Sequence, residues 1–178
     1  KGPVEDFGID GLIRMFAAFS SGGTWRFFQE PEEATAVVAK NQVRGVKLGR
    51  VGGEKALARL LQWKDASFEF EPRIDPSVKE PPIAVDTLLD AALEEVKRLR
   101  QLDIADLPLD LEIVVDSFEA EVARHHCSTA EESIIALAAV KLTIRKILDI
   151  TPESDSRIYP ALLSLRHHKV LRTIDPKA

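Results

Sequence analysis

The stretch that decides the fold class of this chain is GGEKALARLLQWKDASFEF, which covers residues 52–70. Its leucines recur at helical spacing and predict a short helix over Glu54–Trp63. Phe68 and Phe70 alternate with glutamates, which predicts a strand over Ser67–Glu71 whose glutamates face solvent. Every unusual residue in this stretch is a packing residue, so it indicates a structural module and carries no chemistry of its own.

The sequence on either side supplies the other elements of this module. Apolar residues at helical spacing predict an opening helix that ends at Ser20–Gly23, and the segment Ile83–Arg100 reads as a longer amphipathic helix. Between them, strands are predicted over Thr24–Phe28, Ala34–Ala39 and Gln42–Leu48, with a tight corner at Lys40-Asn41 and a bulge or close backbone approach at Gly45. We therefore expect an α+β fold, a small mixed sheet with packed helices.

The last third of the chain is predicted to be mostly helical. Asp116 is expected to cap a helix that runs through His126, and Thr129 with Glu132 three residues later has the pattern of a capping box. A helix over Leu142–Ile150, a turn over Thr151–Asp155, a helix over Ser156–Lys169 and a strand over Val170–Ile174 then resemble the helix-turn-helix part of a winged-helix fold.

An acidic, proline-containing connector, Asp103–Asp110, marks the change between these two parts. We predict an α+β domain over residues 1–102, a linker over 103–113 and a helical, winged-helix-like domain over 114–178. The chain starts with Lys1, and its leading residues KGPVEDF have no core of their own. We therefore expect the sequence to be a piece of a longer protein.

Composition limits the functional classes open to this chain. The net charge of −5 argues against broad binding of nucleic acid or anionic membranes by the whole chain, although it allows a local basic patch. No apolar run approaches the roughly 20 residues that a membrane-spanning helix needs. Cys127 is the one cysteine, which excludes an internal disulfide and predicts a cytoplasmic location. We expect no membrane partner.

Residues from about Phe7 to Arg100 resemble the PatA N-terminal-like family of bacterial domains of unknown function. The resemblance lies in the order of five segments. These are SSGGTWRFF (20–28), QVRGVKLGRVGG (42–53), GEKALARLLQW (53–63), ASFEFEP (66–72) and PIAVDTLLDAALEEV (82–96). The turn Lys64-Asp65-Ala66 departs from the family, which more often has a glycine there.

Members of that family are commonly fused to receiver domains and other bacterial signalling modules. The resemblance therefore implies a non-enzymatic signalling or regulatory role, within a larger two-component-type or similar protein, and no known catalytic residues. Some such proteins also carry a degenerate winged-helix-like segment, which the segment from Thr143 to Leu171 resembles.

Residues that could carry chemistry are few, and their spacing is unfavourable. His125, His126 and Cys127 with His167-His168 are metal candidates, but adjacent residues on a helix point about 100° apart and no paired ligand spacing supports them. Neighbours such as His126 and Cys127 rarely reach the geometry of a nucleophile and its base. The carboxylates of Glu69 and Glu71 are expected to be solvated, and the glycines lack the Lys-Ser/Thr of a phosphate loop. We predict no catalytic residue, no metal and no cofactor.

The C-terminal segment carries a local excess of basic residues that suits DNA binding. The side chains that could contact phosphates are Arg157, Arg166, Lys169 and Arg172. Pro160 opposes this function because it removes a backbone donor inside the presumed recognition helix, so that helix is expected to kink or to start at about Tyr159. DNA binding by a transcriptional regulator is therefore the alternative function.

The preferred function is protein–protein interaction. The apolar faces of the first helix, with Phe16 and Phe19, and of the long helix, with Leu88 and Leu89, are the candidates for burial within or between subunits. Other signalling proteins or domains are the expected partners, and a homodimer is one form of this interaction. Trp25 and Trp63 are expected in the core. A third functional class is a small-ligand sensor with a pocket between the sheet and the long helix. The sequence shows no group of polar side chains that would converge on such a pocket.

Overall fold

The computed structural model describes residues 2–4, 8–19, 22–75, 78, 80–104, 107–123 and 126–174. The chain forms two compact units, Lys1–Lys97 and Arg98–Ala178. Each unit contains both helices and antiparallel strands, so the predicted α+β class is confirmed. The division falls between Lys97 and Arg98, before the predicted domain end at residue 102.

The first unit contains most of the strands. Its elements are β1 (Gly2–Pro3), α1 (Gly8–Phe19), β2 (Gly23–Gln29), β3 (Glu32–Ala39), β4 (Gln42–Leu48), β5 (Val51–Gly52), α2 (Gly53–Leu60), β6 (Ser67–Glu71), β7 (Ile83–Ala84) and α3 (Val85–Arg100), the last of which crosses the division. The sheet order is β1-β6-β2-β3-β4-β5, with β7 beside β4. All its pairings are antiparallel, because the central strands follow one another through tight turns. The predicted mixed sheet is therefore corrected to an antiparallel one.

Turn chemistry fixes the register of the central hairpin. Lys40 and Asn41 both have positive φ, 50° and 62°, which is the backbone of a two-residue turn that matches the twist of the strands it joins. The register between β3 and β4 shifts at Val37/Val38, opposite Gly45, which confirms the predicted bulge. A Cβ on Gly45 would lie 2.7 Å from Val78 Cγ1, so this glycine also allows a close approach of the chain.

One face of the sheet forms the core of the first unit. Trp25 and Phe27 point inward from β2 and are fully buried, while their partners across β3 are Ala36 and Ala34. Small residues on β3 leave room for the large rings on β2. The prediction of a core position is confirmed for Trp25, whereas Trp63 is only partly buried and packs against the same cluster.

The helices of the first unit pack on this same core. The cluster includes Leu12 and Ile13 from α1, Leu57 and Leu60 from α2, and Leu89 from α3, all of them 0–1% exposed. The periodicity of GGEKALARLLQW thus places its apolar face against the sheet, as the sequence predicts. At roughly 1.5–3 kcal/mol for each large apolar side chain, these contacts supply much of the driving force for folding.

The second unit is mostly helical around a small sheet. Beyond the end of α3, its elements are β8 (Glu112–Val115), α4 (Ser117–Ala123), α5 (Thr129–Ala138), α6 (Ile144–Ile150), α7 (Asp155–His167) and β9 (Leu171–Ile174). β8 pairs antiparallel with β9, and its other edge meets the chain just before α6 through a bridge between Glu112 and Thr143. The sequence predicts the two helices, the turn between them and the closing strand, which is found as β9. It does not predict β8, the strand that pairs with β9 and precedes the helices.

Two local predictions in the second unit are corrected. The capping box of α5 is Ser128 with Glu131, because the Ser128 hydroxyl accepts from Glu131 N and the Glu131 carboxylate accepts from Ser128 N. Thr129 and Glu132, the predicted pair, lie one residue further along. The helix α7 begins at Asp155 and runs through Pro160, so of the two predicted alternatives, a kink at Pro160 or a start at about Tyr159, the start is wrong. Asp116 caps α4 as predicted, since its Oδ1 accepts from Phe118 N and Glu119 N at 3.2 and 3.3 Å.

The predicted linker over residues 103–113 belongs to the core of the second unit. Leu107 and Ile113 are 3% and 1% exposed and lie in the same apolar cluster as Ile134, Ile147 and Ile158. The segment contains Pro108 and four acidic residues, which is typical of a connector, but apolar side chains between them turn inward.

The capping box of α5 makes a testable contribution to stability. Burial raises the pKa of Glu131, but hydrogen bonds from Ser128 N, Ser164 and the Ser128 hydroxyl, together with the charge of His168, outweigh it and lower the pKa below 4.5. A lowered pKa in the folded state stabilises the fold at pH values above about 4.5, and this contribution is lost as the pH falls through the folded-state value. Unfolding midpoints of wild type and Glu131→Gln should therefore differ at pH 7 and converge at pH values well below 4.5.

Glu132→Gln is the matched control for this experiment. Glu132 follows Glu131 directly and is exposed, and it is not the capping-box carboxylate. We expect it to lower the unfolding midpoint less than Glu131→Gln does at pH 7. Equal loss from both variants would contradict the assignment of the cap to Glu131.

Candidate functional site

A concave surface of the first unit lies on the outer face of the sheet, opposite the core. It is a depression of about 400 Å³. Its walls come from β2, β3, the end of β6 and the segment that follows β6. The lining residues are Thr24, Arg26, Glu33, Thr35, Glu71, Arg73 and Asp75. None of them belongs to α3, so this surface is not the pocket between sheet and long helix that the sequence suggests as a third class.

One end of this groove is fixed by Thr24, which is 5% exposed. Its hydroxyl donates to the carbonyl oxygen of Arg73 at 2.7 Å and accepts from the backbone N–H of Asp75 at 3.1 Å. Both hydrogen-bonding capacities of the hydroxyl hold the chain after β6 against the sheet. The same chain approaches the outer face again at Val78, beside Gly45. The groove therefore has the sheet as its floor and one wall that is hydrogen-bonded to the sheet.

The charges in the groove are of both signs. Arg26 lies opposite Glu69 in the β2–β6 register, and its guanidinium is 4.0 Å from the carboxylate of Glu71. These side chains are about half exposed, so their mutual attraction is weak and they can exchange partners. The prediction that the glutamates of β6 face away from the core is confirmed by the inward position of Phe68 and Phe70. Such an arrangement is suited to contact with another charged surface.

The residues predicted for protein interaction are not on this surface. Leu88 and Leu89 are 6% and 0% exposed and belong to the core of the first unit. Phe16 is partly buried, with its ring centroid 4.4 Å from that of Trp25. The side chain of Phe19 lies outside the described residues. Of the two alternatives predicted for Leu88 and Leu89, burial within the subunit is found and a docking surface is not, because the core of the first unit already covers this apolar face.

The basic residues predicted to contact phosphates all lie in the second unit. Arg157 and Arg166 are exposed on α7, Lys169 is exposed directly after it, and Arg172 is exposed on β9. Arg172 is already engaged, since its Nη2 donates to Asp116 Oδ2 at 3.1 Å. The structure thus gathers three of these four residues on one helix and its end, and ties the fourth to the cap of α4.

The histidine and cysteine candidates do not form a metal site within the part of the chain that the structure describes. That part contains no group of three or more His, Cys, Asp or Glu side chains suited to holding an ion. His125 lies outside it. Burial raises the pKa of the Cys127 thiol, and the nearby carboxylates of Glu131 and Glu132 raise it further. A raised pKa disfavours the thiolate, which is the reactive form.

The sequence analysis missed the groove because its residues come from distant segments. Thr24 and Asp75 are 51 positions apart, and neither belongs to a recognisable motif. The available signal was the alternation in strand β2, where Thr24 and Arg26 must face away from the side that holds Trp25 and Phe27. Alternation shows which residues share a face, but it does not show what crosses that face.

Comparison with family models, curated proteins and solved structures returned no match for this chain. The resemblance to the PatA N-terminal-like family therefore stays a prediction. Among the described helices, none combines the length and the apolar character required to cross a bilayer.

Proposed function

We propose that this protein is a non-enzymatic regulatory module that acts by binding other proteins, as part of a bacterial signalling system of the two-component or a similar type. The observation that carries the proposal is the open outer face of the first unit's sheet. Its groove presents exposed arginines and carboxylates, among them the pair Arg26 and Glu71, which are about half exposed with their charged groups 4.0 Å apart. Complementary charges at such a surface give a partner its orientation and raise the rate of encounter.

The resemblance to PatA N-terminal-like domains supports the same proposal, since that family is associated with receiver domains and other signalling modules. We place the protein in the cytoplasm, which its single cysteine supports. Association with a second copy is one form of the proposed interaction, and light scattering on the purified chain measures it directly.

A capture experiment with a charge reversal tests this function. The full chain is immobilised and exposed to a lysate of its source cells, and bound proteins are quantified by mass spectrometry for wild type, Arg26→Glu and Lys64→Glu. We expect at least one captured protein that binds Arg26→Glu at least about tenfold less than it binds wild type. The reversed charge would lie opposite a like charge on that protein, which is costly. Lys64 is exposed and does not line the groove, so Lys64→Glu is the matched control and should bind like wild type.

Two results would contradict this proposal. One is capture of no protein by any of the three chains; the other is equal capture by wild type and Arg26→Glu. Circular dichroism of all three chains must show the same secondary structure, because a misfolded variant would mimic a lost contact.

A second candidate function is transcriptional regulation through DNA, and one observation favours it. Helices α6 and α7 are joined by the short turn 151–154 and followed by β9, which is the order of a helix-turn-helix unit. The first residue of the turn is tied to α6, because the buried Thr151 donates its hydroxyl to the carbonyl oxygen of Ile147 at 2.6 Å.

A further inference from the structure

We propose that the groove on the outer face of the first unit's sheet binds an extended, acidic segment of a partner protein, which crosses the strands over Arg26, Thr35 and Lys47. These three residues are called the open row below. The inference rests on the proposed function, binding of other proteins through this face, and makes the chemistry of the partner specific.

A neighbouring row of side chains shows that this face accepts a crossing chain. This covered row consists of paired residues of β2, β3 and β4, namely Thr24, Val37 and Gly45. Thr24 holds the chain after β6 by two hydrogen bonds, and the same chain passes Gly45 at Val78. Val37 lies between them and is 1% exposed, although the alternation of β3 turns it away from the core. The chain after β6 therefore crosses the strands and buries the row beneath it.

The open row lies about 7 Å further along the strands, since two residues of a strand span that distance. Thr35 on β3 is half-buried and lines the groove, and its partners on β2 and β4 are Arg26 and Lys47. Its hydroxyl can donate one hydrogen bond and accept another, as that of Thr24 does in the covered row. An extended segment offers backbone C=O and N–H groups for such bonds, whereas a helix uses them internally. The hydroxyl thus favours an extended occupant.

The charges beside Thr35 select acidic side chains. Its neighbours on both adjacent strands, Arg26 and Lys47, are exposed cations. They are two strand spacings apart, about 10 Å, and alternate side chains of a segment lying across the strands are about 7 Å apart on one face. Two carboxylates at that spacing can each accept hydrogen bonds from one of these long, flexible cations. The acidic residues of the groove lie at its margins, since Glu71 meets Arg26 from the β6 side and Glu33 is two residues along β3.

Glu33 provides an internal check on the charge of the occupant. It is exposed, lines the groove and lies on the same face of β3 as Thr35. Its carboxylate repels an acidic segment, whereas it would attract a basic one. Removing this charge should consequently strengthen binding of an acidic segment, and removing Arg26 or Lys47 should weaken it.

Binding of a defined probe to the full chain tests the inference. The probe is a labelled peptide of about seven residues in which aspartate and valine alternate, followed by fluorescence anisotropy at about 50 mM salt, where exposed charges are only partly screened. We expect Arg26→Gln and Lys47→Gln each to weaken binding about two- to fivefold, and Glu33→Gln to strengthen it by a similar factor. Thr35→Val keeps the side-chain shape without the hydroxyl and should also weaken binding. Lys64→Gln is the control, because Lys64 is exposed and does not line the groove.

Two further measurements locate the contact and exclude misfolding. On addition of the probe, backbone amide signals should shift in nuclear magnetic resonance spectra at Thr35 and its neighbours on β2 and β4, and should stay unchanged in the second unit. The unfolding midpoints of all variants should match that of wild type.

The outcomes separate failure of this inference from failure of the proposed function. Absence of binding up to about 1 mM probe, or equal binding of a peptide with lysine in place of aspartate, overturns the inference and leaves the proposed function to the capture experiment. Weaker binding by Glu33→Gln overturns it as well, and self-association that Arg26→Gln abolishes would make a second copy the occupant instead. Probe binding as expected, with no protein captured from the lysate, would contradict the proposed function alone.

Discussion

Replacing Trp25 with alanine is expected to lower the free energy of unfolding by about 3–5 kcal/mol, the range found for large aromatic side chains in cores. Trp25 is fully buried, and its ring contacts four phenylalanines, with centroid distances of 4.4–5.9 Å. Its neighbour across β3 is Ala36, which cannot fill the cavity that the substitution leaves. Chemical denaturation followed by circular dichroism measures the change.

Trp25→Phe and Phe118→Ala complete this experiment. Phenylalanine keeps an aromatic ring in the cluster and removes an indole N–H that is buried without a hydrogen-bond partner in the part of the chain that the structure describes, so it should cost clearly less than alanine. Phe118 is 74% exposed, and its replacement by alanine should change the stability by no more than about 0.5 kcal/mol. A loss of less than about 1 kcal/mol for Trp25→Ala would contradict the central position of this ring.

The elements that periodicity describes were predictable from the sequence. The strand Ser67–Glu71 is found at its predicted bounds, and Gln42–Leu48 is found likewise, because alternation over several residues has one structural solution. The long helix differs at its start alone, since Ile83 and Ala84 pair with β4 before the helix begins. The tight turn at Lys40-Asn41 was equally predictable, because it depends only on residues that are neighbours in the sequence.

The errors arise where tertiary contacts decide between local alternatives. The segment EIVV at 112–115 is too short for a reliable strand signal and forms β8 because β9 and the residues before α6 flank it. Ser128 and Thr129 are both good caps with a glutamate three residues later, and the sequence cannot distinguish registers that differ by one residue. Leu88 and Leu89 show an apolar face, but a sequence pattern does not reveal whether the same chain or a partner covers it.

The candidate sites show the same contrast between residues that are close in the sequence and residues that only the fold brings together. The basic residues of α7 were predictable as a group because they lie within one helix and its end. The groove on the sheet was not, because the hydrogen bonds between Thr24 and the chain after β6 close a loop of about 50 residues. Contacts at that separation depend on the whole fold rather than on local preference.

A buried isoleucine on α7 provides the second large effect, in the second unit. Ile158 is fully buried among the apolar residues of the core, so Ile158→Ala removes three carbon atoms from a packed site and should cost about 2–5 kcal/mol. Ile150, at the end of α6, is 50% exposed and offers the same chemical change in a neighbouring helix. Ile150→Ala should cost less than about 1 kcal/mol, since much of its side chain is already in contact with water.

Hydrogen exchange of backbone amides in α7 measures this difference where it arises. Ile158→Ala should raise exchange rates along α7 by a factor that corresponds to its loss of stability, about 30-fold or more for 2 kcal/mol, while Ile150→Ala leaves them close to wild type. Because α7 also carries Arg157 and Arg166, Ile158→Ala should weaken any DNA binding by loosening the helix, without reducing the number of charges. Equal effects of the two isoleucine substitutions on exchange would mean that α7 does not pack on the second core by the face that Ile158 defines.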